Sequence, residues 1–178
     1  MIIALAGRRV DAADAKEQRF PLRNVAVVRE RLRAMLKERG TKALVSAAAC
    51  GADLIALSEA GSLGIRRRVV LPFNRDRFKT TSVTDRPGDW GPLYDQVLNE
   101  VEAAGDLVVG KQTSGDEDYA AANLAILDEA IRLGDELEQP VGAALIWDGA
   151  SRGADDITEK FGEEARQRGL ALIEVKTI

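Results

Sequence analysis

Short apolar runs of β type alternate along the chain with longer amphipathic runs, and this alternation limits the possible folds more than any other feature of the sequence. A run such as Ile2–Ala6 is apolar at successive positions, so both faces of the predicted strand would be buried. Strands of this kind, separated by helices, are typical of a parallel sheet that is covered on both sides. The six predicted strands are Ile2–Ala6, Ala43–Ala47, Arg68–Leu71, Asp106–Val109, Val141–Trp147 and Leu170–Val175.

The segments between these strands have the apolar spacing of helices. In the first of them, Val25, Val28, Leu32 and Leu36 recur at intervals of three and four residues, and Gly40 follows as a stop signal. The predicted helices are Leu22–Arg39, Ala52–Leu63, Trp90–Ala104, Glu117–Leu133 and Ala154–Arg168. We therefore expect one α/β domain over residues 1–178, a Rossmann-like, doubly wound and mainly parallel sheet of about six strands with helices on both faces.

One segment, Asn74–Asp89, interrupts the alternation, because it is polar, shows no periodicity and is longer than most connections in compact domains. The sequence predicts a long loop at this place. The loop carries Arg75, Arg77, Lys79 and Arg86, which would either close over a negatively charged ligand or form a solvated charged surface.

The composition excludes several functions. The chain has no histidine and one cysteine, Cys50, so it has no histidine base, no Ser-His-Asp triad, no His-ligated zinc and no intrachain disulfide. Its net charge of −4 and its two Trp, two Tyr and four Phe residues favour neither a basic nucleic-acid surface nor a base-stacking platform. No segment offers the roughly 20 apolar residues of a membrane span, and the first residues are predicted to form a strand rather than a signal peptide. We expect a cytoplasmic protein without metal or cofactor, with neither nucleic acid nor membrane as partner.

In open α/β sheets, ligands bind beyond the carboxyl ends of the strands, so the residues that follow each predicted strand form the candidate site. Gly7 follows the first strand and would let the backbone approach a ligand closely. Arg8 and Arg9 come next, and their guanidinium groups suit a phosphate or a carboxylate. In the alternative, one arginine is a surface charge and the other pairs with Asp11. If they bind phosphate, replacing either by alanine should weaken binding and change stability little.

The turn after the second strand opens a helix at Gly51, whose free amide groups could hold an anion. Asp53 already supplies negative charge at that terminus, so we expect it to cap the helix or to accept a hydrogen bond from a ribose hydroxyl. In the predicted helix Glu117–Leu133, Tyr119 and Asn123 share one face. Asn123 either reads a polar edge of the ligand or bridges two helices.

The turn after the fifth strand, which ends at Trp147, leads into the last helix. Two glycines, Gly149 and Gly153, would give this turn an unusual backbone path, and Arg152 adds a cation. The acidic pair Asp155–Asp156 at the helix start would repel a phosphate. The pair would instead cap the helix, accept ribose hydroxyls or hold Mg²⁺ through waters.

Four short motifs at these strand ends resemble the SLOG superfamily of Rossmann-like domains, which is related to the Lonely Guy phosphoribohydrolases. They follow one another over nearly the whole chain as Gly7-Arg8-Arg9, Gly51-Ala52-Asp53, Leu71-Pro72-Phe73, and Trp147-Asp148-Gly149 with Arg152-Gly153. The resemblance implies that these residues, Pro72 and Phe73 included, contact a nucleotide-derived ligand. In the related hydrolases a glutamate soon after the last turn is catalytic, and Glu159 has that position, with Asp148 as the alternative carboxylate. Where relatives have Gly-Gly-Thr, this chain has Asp155-Asp156-Ile157.

Three functions are compatible with this pattern. We favour a domain that binds or senses a nucleotide-derived small molecule at the carboxyl ends of the strands. The second is an N-glycosidase or phosphoribohydrolase, in which Glu159 or Asp148 stabilises the transition state while Arg8 or Arg9 holds the phosphate. The third is a module that binds another protein at the same edge. A homodimer is the oligomer that the resemblance suggests.

Overall fold

Six strands form one sheet in the computed structural model, which describes residues 1–110 and 116–178, with side chains of the second range from Tyr119 onward. The strands are β1 (Ile2–Gly7), β2 (Ala43–Ser46), β3 (Arg66–Leu71), β4 (Leu107–Val109), β5 (Val141–Trp147) and β6 (Ala171–Lys176). They lie in the order β4-β3-β2-β1-β5-β6, and each neighbouring pair is parallel. The predicted Rossmann-like α/β class with a parallel sheet is therefore confirmed.

Helices cover both faces of the sheet. They are α1 (Val25–Glu38, after a 3-10 turn at Leu22–Asn24), α2 (Ala52–Ser62), α3 (Arg75–Ser82), α4 (Gly91–Ala103), α5 (Asp116–Leu137) and α6 (Ile157–Gln167). Successive residues of a strand point to opposite faces. Thus Ile3 and Leu5 of β1 belong to a core with α1, α2 and α4, whereas Ile2 and Ala4 belong to a core with α5 and α6. No described helix is both long and apolar enough to span a membrane.

The order of the strands reverses beside β1. From β1 the chain adds β2, β3 and β4 outward on one side, and it then returns to place β5 against the other side of β1. Gly7 at the end of β1 is in register with Ile146 near the end of β5. Ligands of open α/β sheets bind at such a switch point. The turns after β1, β2, β3 and β5, which carry the candidate residues, therefore share one edge.

The prediction of a loop over residues 74–89 is wrong for its first half, because Arg75–Ser82 form α3. Asn74 caps this helix, and its side-chain oxygen accepts a hydrogen bond from the Arg77 amide at 2.9 Å. Phe78 and Ser82, four residues apart, are buried on the inner face of the helix. The Asn74 cap and the buried Phe78 ring stabilise this helix, although its polar sequence shows no clear helical periodicity.

Two further boundaries differ from the prediction for local reasons. Helix α6 begins at Ile157 rather than at residue 154, because the side chain of Asp156 caps its N-terminus. Strand β3 begins at Arg66, two residues early, where the guanidinium group pairs with Asp106 at 2.9 Å. In both cases a charged side chain with a specific partner sets the end of the element.

Two glycines bring the segment after β1 against the start of α2. Gly51 has a φ of +95°, and a Cβ there would lie 2.8 Å from the Val10 nitrogen and 2.9 Å from the Arg8 carbonyl oxygen. A Cβ on Gly7 would lie 2.4 Å from the Cβ of Ala52. The Ala52 amide donates to the Arg8 carbonyl at 3.2 Å, so the chain itself already engages the first amide of α2.

We expect Gly51→Ala to destabilise the protein more than Gly153→Ala does. Both glycines have positive φ, +95° and +102°, but a Cβ on Gly153 would meet no atom of the described residues within 4 Å. Backbone strain costs each variant about 1–3 kcal/mol, and the clash with the segment after β1 adds about 1–3 kcal/mol at Gly51. Chemical denaturation of both variants measures the difference. Equal losses would contradict the close packing of residues 8–10 on α2.

Candidate functional site

A cavity of about 460 Å³ opens at the carboxyl edge of the sheet, among the ends of β1, β2 and β3 and the helices α3 and α5. Sites for small molecules have volumes of roughly 300–1,000 Å³. We call this space the rim cavity. Its lining includes seven of the fourteen predicted site residues, namely Gly7, Arg8, Arg9, Asp53, Pro72, Asn123 and Arg152. The turns after three strands thus converge on one space.

The other predicted site residues lie outside the lining of the rim cavity. Phe73 packs edge-on against the ring of Tyr119, with 5.8 Å between the centroids. Trp147 is buried, and its indole nitrogen donates a hydrogen bond to Glu174 at 3.1 Å. The remaining residues outside the lining are Gly51, Asp148, Gly149, Gly153 and Glu159. Their roles toward a ligand stay predictions.

The Arg8 guanidinium is the centre of a buried ion-pair network. It donates hydrogen bonds to the two oxygens of Asp156 at 2.6 and 2.7 Å, to Asp148 at 3.0 Å and to the Ala150 carbonyl at 2.7 Å. Burial alone would lower the pKa of Arg8, but the bonds to Asp156 and Asp148 outweigh it and raise the pKa. We call Arg8, Asp148, Asp156 and Arg19 the Arg8 network. It joins the end of β1 to the end of β5 and to the start of α6.

Both oxygens of Asp148 are hydrogen-bonded to arginine. Oδ1 accepts from Arg8, and Oδ2 accepts from Arg19 at 2.6 Å. The Asp148 side chain is only 5% exposed. Both oxygens are therefore engaged by guanidinium groups of the chain itself. Its geometry suits it to orient the two arginines.

The N-terminus of α6 is occupied by a carboxylate of the chain itself. Asp156 accepts hydrogen bonds from the amides of Thr158 at 3.0 Å, Glu159 at 3.3 Å and Arg152 at 2.8 Å. Burial alone would raise the pKa of Asp156, but Arg8 and the amides of Arg152 and Glu159 lower it to about 2. Of the roles that the sequence left open for the acidic pair, helix capping is present. A phosphate at this terminus would have to displace a fixed anion.

Three arginines in the outer part of the rim cavity are less completely paired than Arg8. Arg9 donates to both oxygens of Asp85, at 2.9 and 2.8 Å, and Arg86 lies 3.6 Å from the same carboxylate. Arg152 lies 3.8 Å from Asp156. Neither the Arg86 nor the Arg152 side chain donates a hydrogen bond within the part of the chain that the structure describes. Their donors are therefore available to a ligand.

The pKa of Arg152 reports the sign of the local potential. Partial burial lowers this pKa, and the charges of Arg8, Arg19 and Arg9 lower it further, while Asp156 opposes them. Several positive charges thus surround a half-exposed guanidinium group. An anion placed here would gain favourable interactions with the whole group of arginines.

Asp53 is the most deeply buried acidic residue of the described lining, with 6% of its surface exposed. Its Oδ2 accepts a hydrogen bond from the Ala49 amide at 3.2 Å, whereas Oδ1 has no partner among the described residues. The Ser46 hydroxyl is also buried, without a partner of hydrogen-bond geometry among the described residues, yet it lies close enough to Asp53 to lower the pKa of the carboxyl group. Burial raises the pKa of Asp53 to about 7, against the opposing effects of Ala49, Ser46 and Arg9.

Three hydroxyl groups of the lining were not among the predicted site residues. The Tyr119 hydroxyl lies 3.0 Å from Ser82 Oγ and 3.4 Å from Thr81 Oγ1. Thr81 and Ser82 were missed because the sequence predicted a loop in this segment. The signal that could have found them is the cap at Asn74 followed by Phe78 and Ser82 at helical spacing.

Asn123 bridges two helices, which is one of the two roles predicted for it. Its side-chain nitrogen donates to the Ile157 carbonyl at 3.0 Å, which ties α5 to the start of α6. The residue also lines the rim cavity. Among the described residues, no three Asp, Glu or Cys side chains are grouped so that they could hold a metal ion.

No family model matches the chain, and no curated protein matches it. Among solved structures, the chain is similar to the X-ray structure of DNA processing protein A (DprA) from Streptococcus pneumoniae, with 15% sequence identity and a TM-score of 0.42. The alignment covers 96% of this chain and 57% of that one, so the chain spans little more than half the length of that protein. The fold assignment rests on the strand order and directions given above.

We expect Arg8→Ala and Arg9→Ala to differ widely in stability, although the sequence treated the two arginines alike. Removing Arg8 leaves buried Asp156 without its bidentate arginine and leaves Asp148 with Arg19 alone, which costs about 3–5 kcal/mol. The pair of Arg9 with Asp85 is about one-third exposed on both sides, and such pairs contribute about 0–1 kcal/mol. Urea denaturation of the two variants measures this contrast. Similar losses would show that the Arg8 network is not a structural element.

We expect the free energy of unfolding to depend on pH through Asp53. Its folded-state pKa of about 7 lies above the ordinary value of 3.8, so between these two values only the unfolded chain releases the proton. Unfolding therefore becomes easier as pH rises through this window, and the effect levels off above about pH 7. Asp53→Asn removes this pH dependence. Between pH 5 and pH 8 the free energy of unfolding of the variant should therefore rise by about 1–3 kcal/mol relative to that of wild type.

Denaturation curves of wild type and Asp53→Asn at several pH values test this expectation. Asp14→Asn is the matched control, because Asp14 is exposed and lies outside the rim cavity. A difference between wild type and Asp53→Asn that stays constant with pH would contradict the raised pKa.

Proposed function

We propose that this chain is a SLOG-type, Rossmann-like domain whose rim cavity binds a nucleotide-derived small anion, as a sensor or binding domain. The location of the motifs supports the proposal, because they follow strands whose carboxyl ends lie at one edge of the sheet. The size of the cavity at that edge is suitable for a ligand of nucleotide size. The nucleotide class comes from the resemblance, and the anionic character comes from the arginines.

The observation that carries the proposal is the incomplete pairing of Arg86 and Arg152. Both line the rim cavity, and neither side chain donates a hydrogen bond to a described residue. Phosphate groups bind such guanidinium groups through charge-assisted and often bidentate hydrogen bonds. Since the donors of Arg8 are engaged by carboxylates, we assign the phosphate contact to Arg86 and Arg152, with Arg9 beside them.

The inner part of the rim cavity is suitable for an uncharged, flat group. Leu5, Ala122 and Ile126 line it and are almost completely buried. A nucleobase placed against them would gain about 25 cal/mol for each Å² of apolar surface removed from water. The ligand would then have its base inside and its phosphate toward solvent.

Turnover is not part of the proposal, because neither predicted catalytic carboxylate lines the rim cavity. Asp148 is held by Arg8 and Arg19. Glu159 accepts a hydrogen bond from the Ser151 hydroxyl. The homodimer and the protein-interaction module stay predictions.

A thermal-shift panel with AMP, ADP-ribose and NAD tests the proposal. A ligand at 100 times its dissociation constant adds about 2.7 kcal/mol to stability, which for a domain of this size raises Tm by roughly 2–4 °C per kcal/mol. We expect at least one of these compounds to give such a shift. A flat panel would contradict the proposal and favour the interaction module. Chromatography of the same mixtures for free base would detect hydrolysis.

For the compound that binds, we expect Arg86→Ala and Arg152→Ala each to weaken binding by about 1.5–3 kcal/mol, because each removes a charged hydrogen-bond donor. Arg39→Ala is the matched control, since Arg39 is exposed at the end of α1, near the opposite edge of the sheet. Calorimetric titration of the three variants gives the comparison. If all three lose affinity equally, the effect is one of net charge and the phosphate site has been placed wrongly.

A further inference from the structure

The buried carboxyl group of Asp53 has one oxygen, Oδ1, without a partner of hydrogen-bond geometry among the described residues. Oδ2 accepts the Ala49 amide at 3.2 Å, which completes the local turn before α2. Oδ1 is buried and has no partner among the described residues, although Asp53 lines the rim cavity. A buried polar atom without a hydrogen bond is energetically unfavourable. Asp53 makes no cap hydrogen bond to the amides of α2, and the bond from Ala49 alone does not account for a buried carboxylate at this position.

The surroundings of Asp53 define which group would satisfy the free oxygen. No arginine or lysine of the described residues forms an ion pair with it, and Arg9 acts on it only at longer range. The neighbouring Ser46 hydroxyl is itself buried without a partner. Other residues of the lining, such as Leu5 and Ile126, are apolar. An uncharged donor of the ligand, rather than a cation or a second anion, fits this environment.

We propose that Asp53 is a specificity-determining residue of the rim cavity, whose Oδ1 accepts a hydrogen bond from a hydroxyl or amino group of the ligand. This inference rests on the proposed function, in which Arg86 and Arg152 hold the anionic end of the same ligand. The two contacts lie on different parts of the lining, so they fix the ligand at two points. In a nucleotide the donor is either a sugar hydroxyl or the exocyclic amine of the base, and both have the required chemistry.

The test compares the affinity for AMP with the affinities for 2′-deoxy-AMP, 3′-deoxy-AMP and IMP. The two deoxy compounds each lack one sugar hydroxyl, and IMP lacks the amine. We expect wild type to bind one of these analogues about tenfold or more weakly than AMP, because that analogue leaves Oδ1 unpaired. The analogue that loses affinity identifies the donor.

Asp53→Asn then shows whether Asp53 causes this preference. The amide oxygen of asparagine can still accept the Ala49 amide, while its NH₂ group replaces the free acceptor. We expect the ratio of the AMP affinity to the analogue affinity to fall from about ten or more in wild type to about one in Asp53→Asn. The ratio cancels any uniform effect of the lost charge on phosphate binding. Asp14→Asn, which changes an exposed carboxylate, should keep the wild-type ratio.

The outcomes separate the two proposals. If wild type binds no nucleotide, the proposed function fails. If wild type binds AMP but does not distinguish it from any of the three analogues, or if Asp53→Asn keeps the wild-type ratio, the inference about Asp53 is overturned while the proposed function survives. The wild-type comparison needs no variant, so the inference can be tested even if Asp53→Asn does not fold.

Discussion

The ion pairs of Arg8 hold together the turns at the edge of the sheet where the rim cavity lies. The switch point between β1 and β5 is the place where open α/β sheets usually bind ligands. Here Arg8 crosses it and binds Asp148 and Asp156, and all three side chains are at most 5% exposed. Because breaking such a buried pair costs several kcal/mol, the network holds the turns after β1 and β5 together. The rim cavity opens beside it, lined by the ends of β1, β2 and β3 and by the segment that leads into α6.

The lining of the rim cavity has a local excess of positive charge in a chain of negative net charge. The described lining of the rim cavity contains five arginines and three acidic residues, whereas the whole chain carries a net charge of −4. Arg8 is neutralised by the carboxylates of Asp148 and Asp156, and neither of these two residues lines the cavity. Carboxylates outside the cavity thus fix the guanidinium groups of Arg8 and Arg19, and both arginines lie in the cavity wall. Net charge alone would have hidden this arrangement, since a field depends on where the charges are placed.

The sequence predicted the strands, the parallel sheet and the edge at which the turns meet, because apolar runs and stop signals are local features. It did not predict α3, since a helix held by the Asn74 cap and buried Phe78 has no long apolar stripe. It also could not distinguish Arg8 from Arg9. Their difference depends on Asp148 and Asp156, about 140 residues further along the chain, and such pairing is visible only once β5 lies beside β1.

In the proposed function, stability and binding make opposite demands on Asp53. An asparagine could accept the Ala49 amide equally well and would avoid the cost of ionising a buried carboxyl group, whose pKa is raised to about 7 by burial. A site that lowers stability without a structural gain is typically one where function sets the side chain. Near neutral pH this group exists in both protonation states. A ligand that donates a hydrogen bond to Oδ1 would favour the charged state, and the buried carboxyl group would then gain the partner that the fold leaves out.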